Sequence, residues 1–168
     1  MYQGPLVHRT NFYIAFLLLL FVSCKQKVGV FEKNTSIVSF SWKKNFAATG
    51  TFTITDTLSS YNIYLVLRHT DAYPYNNIWL RVGLKSPGDS MYFQKVNLTL
   101  GHDASGWEGS GMNDIWETRK LLNGEPRRFI KKGEYTFMIS HIMREDPLKE
   151  IMSAGFRVEK AISTVDKN

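Results

Sequence analysis

The sequence predicts an all-β protein, an antiparallel β-sandwich of immunoglobulin-like or jelly-roll-like type behind an apolar N-terminal leader. Three observations lead there. Apolar and polar residues alternate with period two in at least seven short runs. Turn-forming clusters separate most of those runs. No stretch holds a convincing helical period. The 168 residues are 43% hydrophobic and 21% charged, which suits a single core rather than a disordered chain.

Taken in order, residues 25–36 are polar and read as a tether. In "IVSFSW", Val38, Phe40 and Trp42 share a face, with Ser39 and Ser41 on the other. In "GTFTITDT", Phe52 and Ile54 alternate with threonines. Tyr61, Ile63, Leu65 and Leu67 line one side of "YNIYLVLRH", and Ile78, Leu80, Val82 and Leu84 one side of "NIWLRVGLK". That second pattern leaves Trp79, Arg81 and Lys85 facing outward. "MYFQKVNLTL" contributes Val96, Leu98 and Leu100. "GEYTFMISHIM" contributes Tyr135, Phe137 and Ile139, and "GFRVEK" contributes Phe156 and Val158. One apolar face per strand is the antiparallel signature. "SPGD" (Ser86–Asp89), "NGEP" (Asn123–Pro126) and "KKGE" (Lys131–Glu134) read as turns. A helical turn is allowed only around Asn113–Leu122.

The N-terminus has a different character. Residues 1–23 hold no acid, and Phe12 to Val22 are apolar throughout. Such a run rises only about 16 Å as a helix, against roughly 30 Å of bilayer hydrocarbon. It suits the hydrophobic part of a signal peptide. Small Ser23 precedes Cys24, the single cysteine, and Lys25, Gln26 and Lys27 follow. "FVSC" at this position resembles the cleavage and lipidation site of bacterial lipoproteins. That resemblance implies a signal peptide over 1–23, a lipidated Cys24 opening a tether to residue 36, a sandwich over 37–160 and a tail over 161–168. Two or three acyl chains anchor stably where one does not. Lys25 stands where an Asp resembles an inner-membrane retention signal, so the expected location is the outer membrane, facing the periplasm.

Chemistry is sparse. A lone cysteine excludes internal disulfides and multi-cysteine metal sites. No nucleophile elbow or phosphate-cradling loop is present. The net charge of +6 is mild, and its clearest cluster, Arg127, Arg128, Lys131 and Lys132, is short. It fits a solvated turn or an anionic contact rather than nucleic acid. His69, Asp71, His102 and Asp103 are weak metal candidates, more simply read as loop residues with local hydrogen bonds. His141 reads as a residue at the edge of the core. Neither a cofactor nor a small-molecule substrate is expected.

Two stretches stand out. "RHTDAYPYNNIWL" (Arg68–Leu80) places Tyr73 and Tyr75 around Pro74, where exposed rings would form an aromatic platform. "GHDASGWEGSGMNDIWE" (Gly101–Glu117) holds four glycines with Trp107 and Trp116. Tyr73, Tyr75, Trp107 and Trp116 are therefore the candidate partner contacts, and plugging the sandwich end is the plainer role for them. The alternative reading is a carbohydrate-binding lipoprotein that uses Tyr73, Tyr75, Trp79 and Trp107 as stacking surfaces.

These stretches, with "GEYTFMISHIMREDPLKEIMSAGFRVEK", resemble the gliding motility lipoprotein GldH family of Bacteroidetes. The likeness rests on Arg68 and Thr70 before "YPY", on Gly106-Trp107 with the following glycines, on His141, Met143 and Arg144, and on Gly155 to Val158. It runs from about Tyr61 to Glu159. It implies a membrane-anchored, non-enzymatic part of the gliding machinery, linked in that phylum to type IX secretion. Its partners would be other machinery proteins. Only the lipidated cysteine transfers as a site residue, onto Cys24.

Overall fold

The computed structural model describes residues 30–122 and 124–161. The leader, Cys24 and most of the expected tail lie outside them. Eight long strands build the molecule: β1 (Val30–Ser36), β2 (Ala48–Ile54), β3 (Ser60–Thr70), β4 (Asn77–Lys85), β5 (Tyr92–Thr99), β6 (Ile115–Leu121), β7 (Gly133–His141) and β8 (Ile151–Lys160). All their pairings are antiparallel. One sheet runs β1-β8-β3-β6, extended by Ser110–Met112 beside β6, while Arg127–Arg128 also pairs with β3. The other runs β2-β7-β4-β5. The first strand thus pairs with the last, the second with the seventh, the third with the sixth and the fourth with the fifth. A long hairpin rolled into two facing sheets gives this order, so the sandwich has jelly-roll topology.

The alternating faces meet between the sheets. Phe52 and Ile54 of β2, Tyr61 to Leu67 of β3, Ile78 to Val82 of β4, Tyr135 to Ile139 of β7 and Phe156 with Val158 of β8 supply the buried core. Phe137 from one sheet stacks on Phe156 from the other, with ring centres 4.8 Å apart. Phe52, Phe129 and Tyr135 continue the aromatic centre toward one end.

Three expectations are corrected. The sandwich starts at Val30 rather than at 37, because 30–36 forms β1 instead of a tether. Phe31 packs on Phe52 and Phe137, while outward Glu32 pairs with Arg157 at 2.6 Å. "IVSFSW" is not one strand. Val38–Phe40 makes a tight turn with Ser39 and Phe40 at φ 51°, and only Ser41–Trp42 pairs, with Leu148–Lys149. The helical turn allowed at 113–122 is absent: that segment is a turn followed by β6, held along β3 from Tyr64 to Thr70. No α-helix occurs among the described residues.

Candidate functional site

In this topology strands β1, β3, β5 and β7 end on the same side of the sandwich. The connections 37–47, 71–76, 100–114 and 142–150 therefore gather at one end. Val30, Lys160 and the connections 55–59, 86–91 and 122–132 gather at the other. Both stretches singled out in the sequence fall in the first group, and the fold brings them together.

Their junction is hydrogen-bonded throughout. The Asp71 amide donates to the Asp114 carbonyl at 2.7 Å. The Trp107 indole donates to the Asp71 carboxylate at 2.7 Å. Amides of Leu100 and Gly101 both donate to the Asn76 carbonyl, and the Asn76 side chain donates to Asp103. Tyr75 joins a third connection by donating to Glu145. Lys44 joins the fourth, its amide bonding Asp146 at 2.9 Å and its ammonium the Arg144 carbonyl at 3.1 Å. Four connections from four strand ends thus form one cross-linked cap.

The four candidate contacts occupy different depths in it. Tyr73, expected to be exposed, is 2% exposed and donates its hydroxyl to the Asn77 carbonyl at 3.0 Å. Burial, and with it the nearby Glu145 carboxylate, holds that phenol strongly toward its neutral form. Tyr75 is half-buried against it, with ring centres 5.6 Å apart. Trp107 lies 4.5 Å from the His69 ring and is also half-buried. Trp116 lies across Gly111, where any Cβ would strike its ring. Gly109, at φ 104°, lets the chain pass the Glu117 backbone at a distance no side chain permits. The aromatics are thus mainly wedges that close the sandwich end. The carbohydrate platform loses Tyr73 to the core, and Trp79, 44% exposed, is its most open member.

The four metal candidates are each engaged elsewhere. His69 is fully buried, with Nδ1 against the Thr70 carbonyl at 2.9 Å. Asp71 holds Trp107, His102 pairs with Glu108 at 2.7 Å, and Asp103 accepts from Asn76. No group of three or more such ligands gathers among the described residues. His141 is buried beside Trp42, ring centres 5.4 Å apart, and neither ring nitrogen has a hydrogen-bond partner among the described residues. Burial lowers the pKa of both His69 and His141.

The surface that this end presents was not legible from the sequence. Val38 is 81% exposed, and Phe40, Phe46 and Ile142 are between 37% and 41% exposed. A groove of about 430 Å³ runs among Ile37, Val38, Ser39, Ser41, Lys43 and Phe46. Trp79, on β4, accepts through its carbonyl from the Ile142 amide at 2.9 Å. The left-handed backbone of Ser39 and Phe40 costs roughly 1–3 kcal/mol per residue. Val38, at the start of this turn, faces solvent.

Comparison with known proteins places this architecture. Residues 29–158 match a family described as GldH lipoprotein, so the match covers the eight strands almost end to end. The gliding motility lipoprotein GldH of Flavobacterium johnsoniae is 30% identical over 149 residues, which cover 84% of this chain and 91% of that protein. A gliding motility lipoprotein GldH homolog of Christiangramia forsetii is 27% identical over 157 residues, or 89% and 94% of the two chains.

Proposed function

The chain belongs to the GldH lipoprotein family, and from that premise we propose that it is a lipid-anchored, non-enzymatic component of a gliding apparatus linked to type IX secretion. The observation that carries this reading is the span of the family match, which takes in nearly the whole sandwich rather than one loop. Cys24, following the apolar leader, is the proposed point of lipidation. The anchor holds the protein in the cell envelope, on the periplasmic side of the outer membrane, because Lys25 offers no retention signal.

The mechanism is placement. The described chain begins at Val30, at the end opposite the cross-linked cap. An anchored sandwich then points the cap away from its attachment, toward other machinery proteins. Partner contact is proposed for the open part of the cap: Val38, Phe40, Phe46 and Trp79, flanked by Tyr75 and Trp107. Trp116 contributes by holding the loop in shape. Strain kept in a turn that exposes apolar side chains supports an interaction role there.

Deletion of the gene tests the reading. Cells filmed on wet glass are expected to stop moving, and secretion of a type IX cargo is expected to fail in the same strain. Untouched movement and secretion would contradict it. Glycan-array binding that is lost in Trp79→Ala would then favour a carbohydrate-binding lipoprotein.

A further inference from the structure

We propose that the end of the sandwich from which the N-terminal segment departs is itself a membrane-docking surface, seated on the anionic headgroups of the bilayer that holds Cys24. The proposal rests on the anchoring reading above and adds a second, non-covalent contact to it.

Val30, paired with Glu159 at the start of β1, is six residues after Cys24. Six residues span at most about 20 Å in any conformation. The end bearing Val30 therefore stays close to the bilayer, while the cap lies a strand length further out, roughly 30 Å at about 3.3 Å per residue.

The same end exposes large apolar side chains. Ile130 is 87% exposed, Leu58 81% and Tyr92 72%. They come from three separate segments, 122–132, 55–59 and the start of β5. Ile130 is held out by its own neighbour. Phe129 is 6% exposed and packs edge-on against Tyr61 and Tyr135 at 5.4 and 4.8 Å, which fixes the loop and turns the next side chain away from the core. A rigidly presented isoleucine loses little conformational freedom on entering an interface. Tyr92, Ile130, Arg127 and Arg128 line a common groove of about 180 Å³, so the apolar and basic side chains form one surface.

Lys160 is neutralised by Asp56 and Lys131 by Asp89. Arg127, Arg128, Lys132 and Lys85 are exposed at this end and have no ion pair among the described residues. The exposed acids at this end are Glu125, Glu134 and Asp89, the last already paired with Lys131. The balance is positive, and Lys25 and Lys27 add to it on the connecting segment. Cations within a Debye length of an anionic leaflet are attracted to it, and apolar side chains at the same level enter the interface. Acyl chains, basic residues and apolar tips then act together, and the domain's orientation is fixed as well as its location.

The test uses the lipidated protein purified from membranes and reconstituted in vesicles of phosphatidylcholine, with or without phosphatidylglycerol. An environment-sensitive fluorophore is attached in Ile130→Cys, and in Val38→Cys as the far-end control. On anionic vesicles the label at 130 is expected to shift to the blue and to be quenched from within the bilayer, while the label at 38 stays in water. Arg127→Glu with Arg128→Glu is expected to lower the docking equilibrium constant by roughly fivefold or more for each positive charge lost. A label at 130 that stays aqueous while the protein floats with the vesicles overturns docking and leaves anchoring intact. An equal shift on neutral vesicles overturns the recognition of anionic lipid. Shielding of 130 in cells but on neither vesicle assigns the surface to a protein and overturns the proposal too. Protein that carries no lipid on Cys24 and does not float fails the anchoring reading itself, a distinct result.

Discussion

Trp107 donates its indole N–H to Asp71 at 2.7 Å, across 36 positions of sequence. With the Asp71 amide held by Asp114, this bond fastens the connection after β3 to the long connection before β6. Asp71→Ala removes the acceptor and leaves the indole N–H without it. The expected cost is about 1–2 kcal/mol in urea unfolding. Hydrogen exchange should quicken over 101–117 and stay unchanged at the far end. Uniform exchange would mean that the bond does not organise the cap.

The contact between Phe137 and Phe156 joins the two sheets where both rings are fully buried. Phe156→Ala opens a cavity that neither sheet closes easily. A loss of about 3–5 kcal/mol is expected from denaturant midpoints. A loss under 1 kcal/mol would mean that the sheets meet differently.

Ser39 holds a left-handed backbone at φ 51° without being glycine. Ser39→Gly is expected to raise stability by about 0.5–1 kcal/mol, read as a higher Tm. If the exposed turn at 38–40 serves partner contact, the same variant should gain stability without gaining function in cells.

Acid should weaken the fold. Burial holds the folded-state pKa of His69 and His141 below the ordinary 6.5, so the neutral ring is the folded form. The unfolded chain takes up these protons first. Stability is therefore full above pH 6.5 and falls as the pH drops below it. Glu32 and Glu108 add a second loss at lower pH. Burial resists ionisation of Glu32, but Arg157 and Arg119 outweigh it and lower its pKa, while Lys120 and His102 lower that of Glu108. Tm followed from pH 8 to 5 should decline, with a shallower slope in His141→Leu. Equal slopes would show that His141 protonates freely in the folded state.

Much of the fold was legible because a jelly roll repeats one physical signal. Each inner strand buries every second residue, so Tyr61, Ile63, Leu65 and Leu67 declare a face, as do Tyr135, Phe137 and Ile139. The signal fails where burial is partial or supplied from afar. Strand β1 shows one core residue, Phe31, among polar neighbours, and Glu32 finds Arg157 only 125 positions later. Val38 and Phe40 alternate like a strand but sit in a turn that no glycine or asparagine marks. The segment 115–121 contains good helix formers, yet its long pairing with β3 overrides that preference. At the cap, the sequence identified the two stretches that meet. It did not reveal that Tyr73 turns inward, since its depth depends on Asn77 and on packing against His69.

The central claim is that an anchored sandwich serves the gliding and secretion machinery. It is tested most directly by returning a Cys24→Ala allele to the deletion strain, with protein level, movement and cargo secretion measured together. The expected result is that the altered protein accumulates while neither movement nor secretion returns. Full restoration of both by the Cys24→Ala protein would contradict anchoring as the basis of its function.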